Sequence, residues 1–415
     1  MGQTLSEPVV EKHTTSGGDE RFLYGASAMQ GWRISMEDAH TTLLKLGPGG
    51  ESAFFAVYDG HGGQTAAKFA GVKLHEYIVR ADEYAKGNFE EAIKSGFLTA
   101  DKDLRETPEM ASNTAGCTSV CVLITKDGQV ICGNAGDSRA IMSTAGRAVP
   151  LSHDHKPTDE VEFNRIVGAG GFVEFGRVNG NLALSRALGD FEFKNNGTMP
   201  AEKQIVTAFP DVIKADPSAD NEFIVVACDG IWDCMTNEQV VQFVHAKITE
   251  GKKLDQICED IMNRCLASES ELGGVGCDNM TIVIVAILNG KSEDEWYESV
   301  KVIAEESGQK SSPKIERPGI DADDEDSKAI IKAIISHATQ HPDSDDSDDS
   351  DEGDRAASAP IKLIEDDDAD AVAAADTIAA GTLVADAAAA AAAAHSEASA
   401  DADADAVAAA AKPGN

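Results

Sequence analysis

Residues 118–133, with the sequence TSVCVLITKDGQVICG, decide the fold class of this protein. Two apolar runs, at 118–124 and 129–133, flank the dipeptide Asp127-Gly128. An Asp-Gly pair between two apolar runs predicts a tight hairpin of antiparallel strands. Similar runs predict strands at 52–58, 223–227 and 280–288, and helical patterns lie between strands at 65–79, 88–104, 158–169, 237–248 and 253–267. This order favours antiparallel sheets covered by helices over a doubly wound parallel sheet.

Composition divides the chain into a folded part and a tail. The 415 residues carry 72 acidic against 35 basic side chains, a formal net charge of −37. Residues 311–415 contain 25 acidic and 7 basic residues but no aromatic residue and no Cys. Such a segment buries too little apolar surface to offset the entropy of ordering it, so we predict a disordered, acidic and Ala-rich tail. Two short apolar islands, at 330–335 and 361–364, leave a docking role as the alternative.

The rest of the chain divides into three parts. Residues 1–20 are polar and lack periodicity, which predicts a flexible N-terminus, whereas 21–290 form the folded domain and 291–310 a short helical extension. The opening Met-Gly-Gln-Thr-Leu-Ser fits the myristoylation pattern, so Gly2 is a candidate acceptor, with a chance match as the alternative. One acyl chain would give at most weak, reversible membrane association.

Charge and cysteine usage exclude several classes of function. A chain this acidic lacks the basic surface that phosphate-backbone contacts require, which argues against nucleic-acid binding. No apolar run is long enough for a membrane span, and no signal peptide is evident. The eight Cys are scattered without a C-x-x-C motif, which favours reduced thiols over zinc or disulfide roles. We therefore expect an intracellular protein of the cytoplasm and nucleus.

The informative pattern is an apolar strand followed by Asp and then by Gly or a small polar residue. It occurs four times, at Asp59, Asp137, Asp229 and Asp278, and Glu37-Asp38 adds a fifth acidic point. Two unit charges about 4 Å apart repel by roughly 4 kcal/mol at an effective dielectric constant near 20, so converging carboxylates need cations. Their oxygen ligands favour Mg²⁺ or Mn²⁺. One such Asp-Gly is an ordinary turn, but the whole set predicts a binuclear metal site.

Longer motifs carry a family resemblance. They include Gly31-Trp32-Arg33, the turn Asp59-Gly60-His61-Gly62-Gly63, Leu184-Ser185-Arg186-Ala187-Leu188-Gly189-Asp190, and Asp229-Gly230-Ile231-Trp232-Asp233. In this order, from about residue 22 to 288, they resemble the metal-dependent serine/threonine phosphatases of the protein phosphatase 2C family, and fungal members in particular. The resemblance implies an α+β fold with four layers, in which two antiparallel sheets form a sandwich between helices.

The resemblance also implies a set of ligands for two Mg²⁺ or Mn²⁺ ions and a weaker third ion. The first ion would be held by Asp59, Asp229 and Asp278. The second would share Asp59 and use the Gly60 carbonyl and, through water, Glu37 and Asp38. The third would be held by Asp137 and Asp233 together with Asp229.

The implied reaction is hydrolysis of phosphoserine and phosphothreonine by direct attack of a metal-bridging hydroxide, which two metals generate and orient. Arg33 resembles the phosphate-binding arginine, and its planar fork suits that role. His61 resembles the general acid that protonates the leaving alkoxide. His153 and His155 could pose as metal ligands, but the metal set is complete without them, so a structural role is favoured.

Two hypotheses of function remain. In the first, the protein is a monomeric protein serine/threonine phosphatase whose substrates are phosphoproteins, with stress-activated protein kinases as a guess from the range of the family. In the second, the phosphatase domain is vestigial and the acidic tail binds a basic partner. The intact acidic set favours the first hypothesis, because clustered carboxylates without a use are costly.

Overall fold

In the computed structural model, which describes residues 4–270 and 274–306, the chain forms sixteen strands and eight α-helices. The strands, in chain order, are β1 (Thr4–Gly18), β2 (Phe22–Arg33), β3 (Ala39–Leu46), β4 (Ser52–Tyr58), β5 (Gly60–His61), β6 (Gly116–Cys117), β7 (Ser119–Ile124), β8 (Val130–Ala135), β9 (Arg139–Thr144), β10 (Arg147–Pro150), β11 (Val173–Glu174), β12 (Arg177–Val178), β13 (Leu188–Gly189), β14 (Asp211–Ala215), β15 (Asn221–Ala227) and β16 (Met280–Ile287). The helices are α1 (Thr65–Arg80), α2 (Asp82–Ala85), α3 (Phe89–Arg105), α4 (Glu160–Gly168), α5 (Asp229–Trp232), α6 (Asn237–Thr249), α7 (Leu254–Cys265) and α8 (Glu293–Glu306).

The long strands form two antiparallel sheets. The first sheet has the spatial order β1-β2-β16-β15-β9-β10, and the second has the order β14-β8-β7-β4-β3. The hairpin predicted around Asp127-Gly128 joins β7 and β8, and Gly128 has a φ of 80°, which a glycine adopts without strain. The prediction of antiparallel sheets is confirmed.

Strand β4 shows how the layers pack, because every one of its residues is buried. Phe54 and Phe55 point to opposite faces, as alternate strand residues do. Phe55 packs between the two sheets, whereas Phe54 packs under the helices that cover the second sheet. Each burial contributes about 1.5–3 kcal/mol. A strand covered on both faces reads as a continuous apolar run, which is why its sequence lacks alternation.

Helices cover both outer faces of the sandwich. Buried residues of α1 and α3 pack on the second sheet, and buried residues of α6, α7 and α8 pack on the first. Helix α6 begins with a capping box, in which the Thr236 hydroxyl accepts from the Gln239 N–H and the Gln239 side chain accepts from the Thr236 N–H. The predicted four-layer α-β-β-α sandwich is confirmed.

The prediction of a flexible N-terminus at 1–20 is wrong for the described part of that segment. Strand β1 spans 15 residues and pairs with β2, with Lys12 opposite Met29 and Gly18 opposite Leu23. Its backbone hydrogen bonds go to a single neighbour and its outer edge faces solvent, so the strand needs no apolar periodicity. Register shifts near Val9 further disturb any regular pattern.

Of the C-terminal predictions, only the helical extension falls on described residues. Helix α8 lies within the predicted extension at 291–310, and its Trp296 is buried against the first sheet. The predicted tail at 311–415 and the acylation site Gly2 both lie outside the described residues. Among the helices that are described, none combines the length and the apolar character that crossing a bilayer requires.

Candidate active site

The topology explains why carboxylates that are distant in sequence meet. Ala227, at the end of β15, pairs with Ile282 near the start of β16, so Asp229 and Asp278 lie at the same edge of the first sheet. Ala39, at the start of β3, pairs with Tyr58 at the end of β4, which places Asp38 beside Asp59 at the edge of the second sheet. The two sheets present these edges to one groove.

The groove between the sheet edges has a volume of about 470 Å³. It is lined by eight of the ten side chains or carbonyls that the sequence predicts for catalysis and metal binding: Arg33, Glu37, Asp59, Gly60, His61, Asp137, Asp229 and Asp278. Asp38 lies beneath the groove with its Oδ1 fully buried, and Asp233 is exposed at the end of α5. The structure therefore brings eight of the ten predicted groups into one groove.

The carboxylates at the base of the groove are electrostatically strained. Burial raises the pKa of Asp59 well above its ordinary value, and the negative charges of Asp229 and Asp38 raise it further. Burial and the charge of Asp137 act in the same way on the pKa of Asp229. Burial also raises the pKa of Asp38 to about 7, although the Thr281 hydroxyl donates to Asp38 Oδ2 over 2.7 Å and opposes the rise. A cation between these groups would relieve the repulsion.

Two buried carboxylate oxygens have no hydrogen-bond partner within residues 4–270 and 274–306. They are Asp38 Oδ1 and Asp229 Oδ1, and both are buried. A buried carboxylate oxygen without a partner carries a desolvation cost of roughly 1–3 kcal/mol or more. Mg²⁺ and Mn²⁺ bind carboxylate oxygens, and these two oxygens are free to accept such an ion. The residues therefore fit the predicted metals.

Cys228 was not predicted as part of the site, yet its Sγ lies within 4.8 Å of oxygens of Asp38 and Asp59. Burial and the charges of those two carboxylates raise the pKa of the Cys228 thiol well above its ordinary value. The Sγ also accepts from the Thr281 N–H at 3.1 Å. A metal ligand would have to be a thiolate, so these contacts favour a packing role for Cys228. None of the eight Cys, all of which lie in the described residues, forms a disulfide, as predicted.

Glu37 is held on both of its carboxylate oxygens. Oε1 accepts from the Ser35 hydroxyl at 2.7 Å, and Oε2 accepts from the Gly63 N–H at 2.9 Å. Gly60 passes so close to Glu37 that an added Cβ would lie 2.2 Å from the Glu37 carbonyl oxygen. Glycine at position 60 is therefore required for this close approach.

The predicted phosphate-binding residue contacts a predicted metal ligand. Arg33 Nη2 donates to Asp278 Oδ2 at 2.5 Å, and both side chains remain partly exposed to the groove. The other oxygen, Asp278 Oδ1, accepts from the Asn279 N–H at 2.8 Å. Asn279 in turn ties the loop together, because its amide donates to the carbonyls of Gln30 and Ser35.

Two basic residues at the rim were not predicted. Lys156 Nζ donates to Asp137 Oδ2 at 2.5 Å, which offsets the charge of that buried carboxylate. Arg177, in β12, also lines the groove. His155, by contrast, is buried and does not line the groove: its Nε2 is 3.2 Å from Asp211 Oδ2, and its Nδ1 is 3.2 Å from the Gly136 nitrogen. This agrees with the structural role that the sequence favoured for His155.

His61 contacts Asp190, the last residue of the motif that begins at Leu184, for which the sequence indicated no role. Its Nε2 lies 2.8 Å from both carboxylate oxygens of Asp190, a residue that is 3% exposed. Burial alone would lower the pKa of His61, but the Asp190 carboxylate outweighs it and the pKa is raised. The residues are 129 positions apart, so no local spacing reveals this pair.

An arginine and a histidine beside clustered carboxylates, in a groove at the edge of an α-β-β-α sandwich, define the class of metal-dependent protein phosphatases. The family described as Protein phosphatase 2C matches residues 22–272. The chain belongs to the protein phosphatase 2C family, and it is a metal-dependent protein serine/threonine phosphatase.

Relatives from several organisms support the family. A probable protein phosphatase 2C of Caenorhabditis elegans is 57% identical over 297 residues, which cover 72% of this chain and 83% of that protein. Protein phosphatase 2C homolog 2 of Schizosaccharomyces pombe is 53% identical and covers 72% of this chain and 81% of its own length. The crystal structure of a phosphatase from Toxoplasma gondii matches with a TM-score of 0.58 and 26% identity over 68% of this chain and 97% of that chain.

Proposed function

We propose that this phosphatase acts on phosphoserine and phosphothreonine of proteins at a centre of two Mg²⁺ or Mn²⁺ ions, with a weaker third site. The observation that carries this proposal is a pair of buried oxygens, Asp38 Oδ1 and Asp229 Oδ1, to which no group of the described chain donates. They lie among carboxylates whose pKa values are raised by burial and by each other. A cluster of this kind is unfavourable without cations.

The ligands in this proposal come from both sheets. The first ion would be held by Asp59, Asp229 and Asp278, and the second by Asp59, the Gly60 carbonyl, Glu37 and Asp38. Asp137 and Asp233 would serve the third site, at which Lys156 now engages Asp137. When bound, the metals would lower the pKa of water and neutralise charge on the phosphoryl group.

The chain's own residues bind and protonate the substrate. In the proposal, Arg33 donates its planar fork of N–H groups to the phosphoryl oxygens, because a charged bidentate donor matches that group. His61 lies in the same groove and donates a proton to the oxygen of the departing Ser or Thr side chain.

The test uses the full chain, a phosphopeptide and Mn²⁺. We expect turnover that disappears in excess chelator, returns with Mn²⁺ or Mg²⁺, and falls by orders of magnitude in Asp59→Asn. Asp19→Asn is the matched control, because it makes the same substitution at a carboxylate outside the predicted ligand set. Asp19 Oδ1 accepts from the N–H groups of Arg21 and Phe22 in a turn. Full activity of Asp59→Asn, measured alongside that control, would overturn the two-metal proposal.

We further propose a monomeric signalling enzyme of the cytoplasm and nucleus, with phosphoproteins, including stress-activated protein kinases, as substrates. The eight free thiols support a reducing compartment. In the same proposal Gly2 is acylated and gives weak membrane association. Mass spectrometry of the native N-terminus tests the acylation, and capture of phosphoproteins by inactive Asp59→Asn, compared with the wild type, identifies the substrates.

A further inference from the structure

His61 and Asp190 meet because a small third sheet brings them together. This sheet has the order β13-β6-β5, with Gly189 and His61 both paired with Gly116 in the central strand. His61 and the residue before Asp190 therefore flank one glycine. A Cβ at position 116 would lie 2.1 Å from Asp190 Oδ2 and 2.6 Å from His61 Nε2, so only glycine leaves room for the contact.

The backbone at Asp190 is held in an unusual conformation. Asp190 has a φ of 50°, in the left-handed region that few residues other than glycine adopt. A conformation of this kind is strained and persists only where the surroundings enforce it. The Asp190 N–H donates to the Ala115 carbonyl at 3.2 Å, which fixes the carboxylate on the side of His61.

A buried ion pair holds the backbone that precedes Asp190. Lys194 Nζ lies 2.8 and 2.9 Å from the two carboxylate oxygens of Asp101, on α3, and donates also to the Ala187 carbonyl at 2.8 Å. Asp101 Oδ1 accepts from the Gly189 N–H at 2.8 Å. The Lys194 and Asp101 side chains are 5% and 12% exposed. This pair therefore anchors the residues on both sides of Leu188 and, through Gly189, the position of Asp190.

The two ring nitrogens of His61 have different surroundings. Nε2 faces the Asp190 carboxylate, whose side chain is 4% exposed, whereas the His61 side chain is 28% exposed and lines the groove. In the described part of the chain, Nδ1 has no hydrogen-bond partner. The nitrogen available to a substrate is therefore Nδ1.

We propose that Asp190 is the positioning residue of the phosphatase reaction, holding His61 by its Nε2–H so that Nδ1 delivers the proton to the leaving group. The Nδ1 proton passes to the oxygen of the departing Ser or Thr as its bond to phosphorus breaks, and the ring keeps its Nε2–H towards Asp190. Lys194 and Asp101 fix the turn that carries Asp190. The inference rests on the proposed role of His61 as general acid.

The experiment compares two substrates that differ in their need for a proton. A phosphoserine peptide has a poor leaving group, whereas p-nitrophenyl phosphate releases a stable phenolate that needs little protonation. With the full chain and saturating Mn²⁺, we expect Asp190→Asn to lower kcat on the peptide by about 10- to 100-fold, with a small change in KM and at most a few-fold change in kcat on p-nitrophenyl phosphate. Asp103→Asn is the matched control on α3, because the Asp103 carboxylate accepts a hydrogen bond from the Tyr77 hydroxyl of α1 and contacts neither His61 nor Asp190 among the described residues.

A cycle with His61→Gln separates positioning from a general structural effect. If Asp190 acts through His61, Asp190→Asn lowers peptide turnover little further in the His61→Gln background. The inference would be overturned if the reductions in kcat of the two single variants multiplied in the double variant. It would also be overturned if Asp190→Asn lowered kcat equally on both substrates. If Asp190→Asn does not fold, Lys194→Met takes its place, and a smaller loss confined to the peptide is then expected. If His61→Gln itself shows no preference between the substrates, the general-acid proposal fails instead.

Discussion

Arg33 Nη2 donates a hydrogen bond to Asp278 Oδ2 at 2.5 Å, so the residue proposed to bind phosphate contacts a residue proposed to bind metal. The contact links two strands of the first sheet, because Arg33 ends β2 and Asp278 precedes β16. Pairing with Asp278 orients the Arg33 guanidinium towards the groove. The side chain therefore loses less conformational entropy when it binds a substrate.

The first prediction concerns phosphate binding by Arg33. We expect Arg33→Ala to raise both the KM for a phosphopeptide and the Ki for inorganic phosphate by about 10- to 100-fold, because hydrogen bonds to charged groups contribute about 1.5–3 kcal/mol. The KM and Ki of Arg33→Lys should lie between those of the wild type and Arg33→Ala, because lysine keeps the positive charge but cannot donate two parallel hydrogen bonds. Arg80→Ala, an exposed arginine paired with Glu76, is the control. An unchanged Ki in Arg33→Ala contradicts the assignment.

The second prediction concerns metal removal and stability. In excess chelator, Asp229→Asn should unfold at a higher temperature than the wild type, because the substitution relieves repulsion among buried carboxylates. In Mn²⁺ the order should reverse, because the wild type gains more from binding the ion. Thermal unfolding followed by circular dichroism, with and without Mn²⁺, measures both. A variant with the same Mn²⁺-induced rise in Tm as the wild type would remove Asp229 from the ligand set.

The third prediction is a pH dependence of stability that arises at Glu162, on α4. Burial would raise the pKa of Glu162, but hydrogen bonds from Arg186 and the charge of Arg165 outweigh it and lower the pKa from 4.5 to about 2. The native state therefore holds the Glu162 proton less tightly than the unfolded state. The resulting stabilisation is full above about pH 4.5 and is lost as the pH falls towards 2. Its size is on the order of 3 kcal/mol.

Urea unfolding at pH 7 and at about pH 3 tests this dependence. Glu162→Gln should destabilise the protein strongly at pH 7, since two buried arginines lose their partner, and by much less near pH 3. Glu160→Gln, an exposed change on the same helix, should follow the wild type at both pH values. Equal losses for Glu162→Gln at the two pH values would show that its charge does not stabilise the fold.

The fourth prediction concerns the helix that follows the last strand. Trp296 is 1% exposed, and its Nε1 donates to the Glu222 carbonyl at 3.1 Å. Trp296→Ala should lower the free energy of unfolding by about 3–5 kcal/mol, because it leaves a cavity and an unpaired carbonyl. Val302→Ala, at a position that is 53% exposed on the same helix, should change it by about 0.5 kcal/mol or less. Similar values for the two variants would mean that α8 does not contribute to the core.

The fifth prediction concerns the N-terminal strand. Deleting residues 1–18 removes β1 and leaves the backbone of β2 as an exposed sheet edge. It also removes Thr14, whose hydroxyl donates to Glu259 at 2.7 Å. We expect a lower Tm and concentration-dependent light scattering, whereas the exposed change Val10→Ala should behave as the wild type. A deletion variant that is as stable and as monodisperse as the full chain would show that β1 is dispensable.

The sequence by itself determined the elements whose signals are local. Apolar runs and the turn at Asp127-Gly128 predicted strands and a hairpin because side-chain burial and turn geometry depend on neighbouring residues. The motifs also indicated which carboxylates converge, since each Asp follows a strand end. Strand β1 escaped prediction because an edge strand is held by backbone hydrogen bonds, which leave little trace in side-chain pattern.

The tertiary structure alone decided which groups touch. The contact between His61 and Asp190 spans 129 positions and depends on the register of both strands against Gly116, and the approach of Cys228 to Asp38 and Asp59 depends on the packing of the two sheets. Such contacts are set by the sum of many weak packing and hydrogen-bond energies over the whole domain. These energies depend on the whole domain and cannot be read from a short stretch of sequence. The chemistry of each site residue could therefore be inferred from its type, but its contact partner could not.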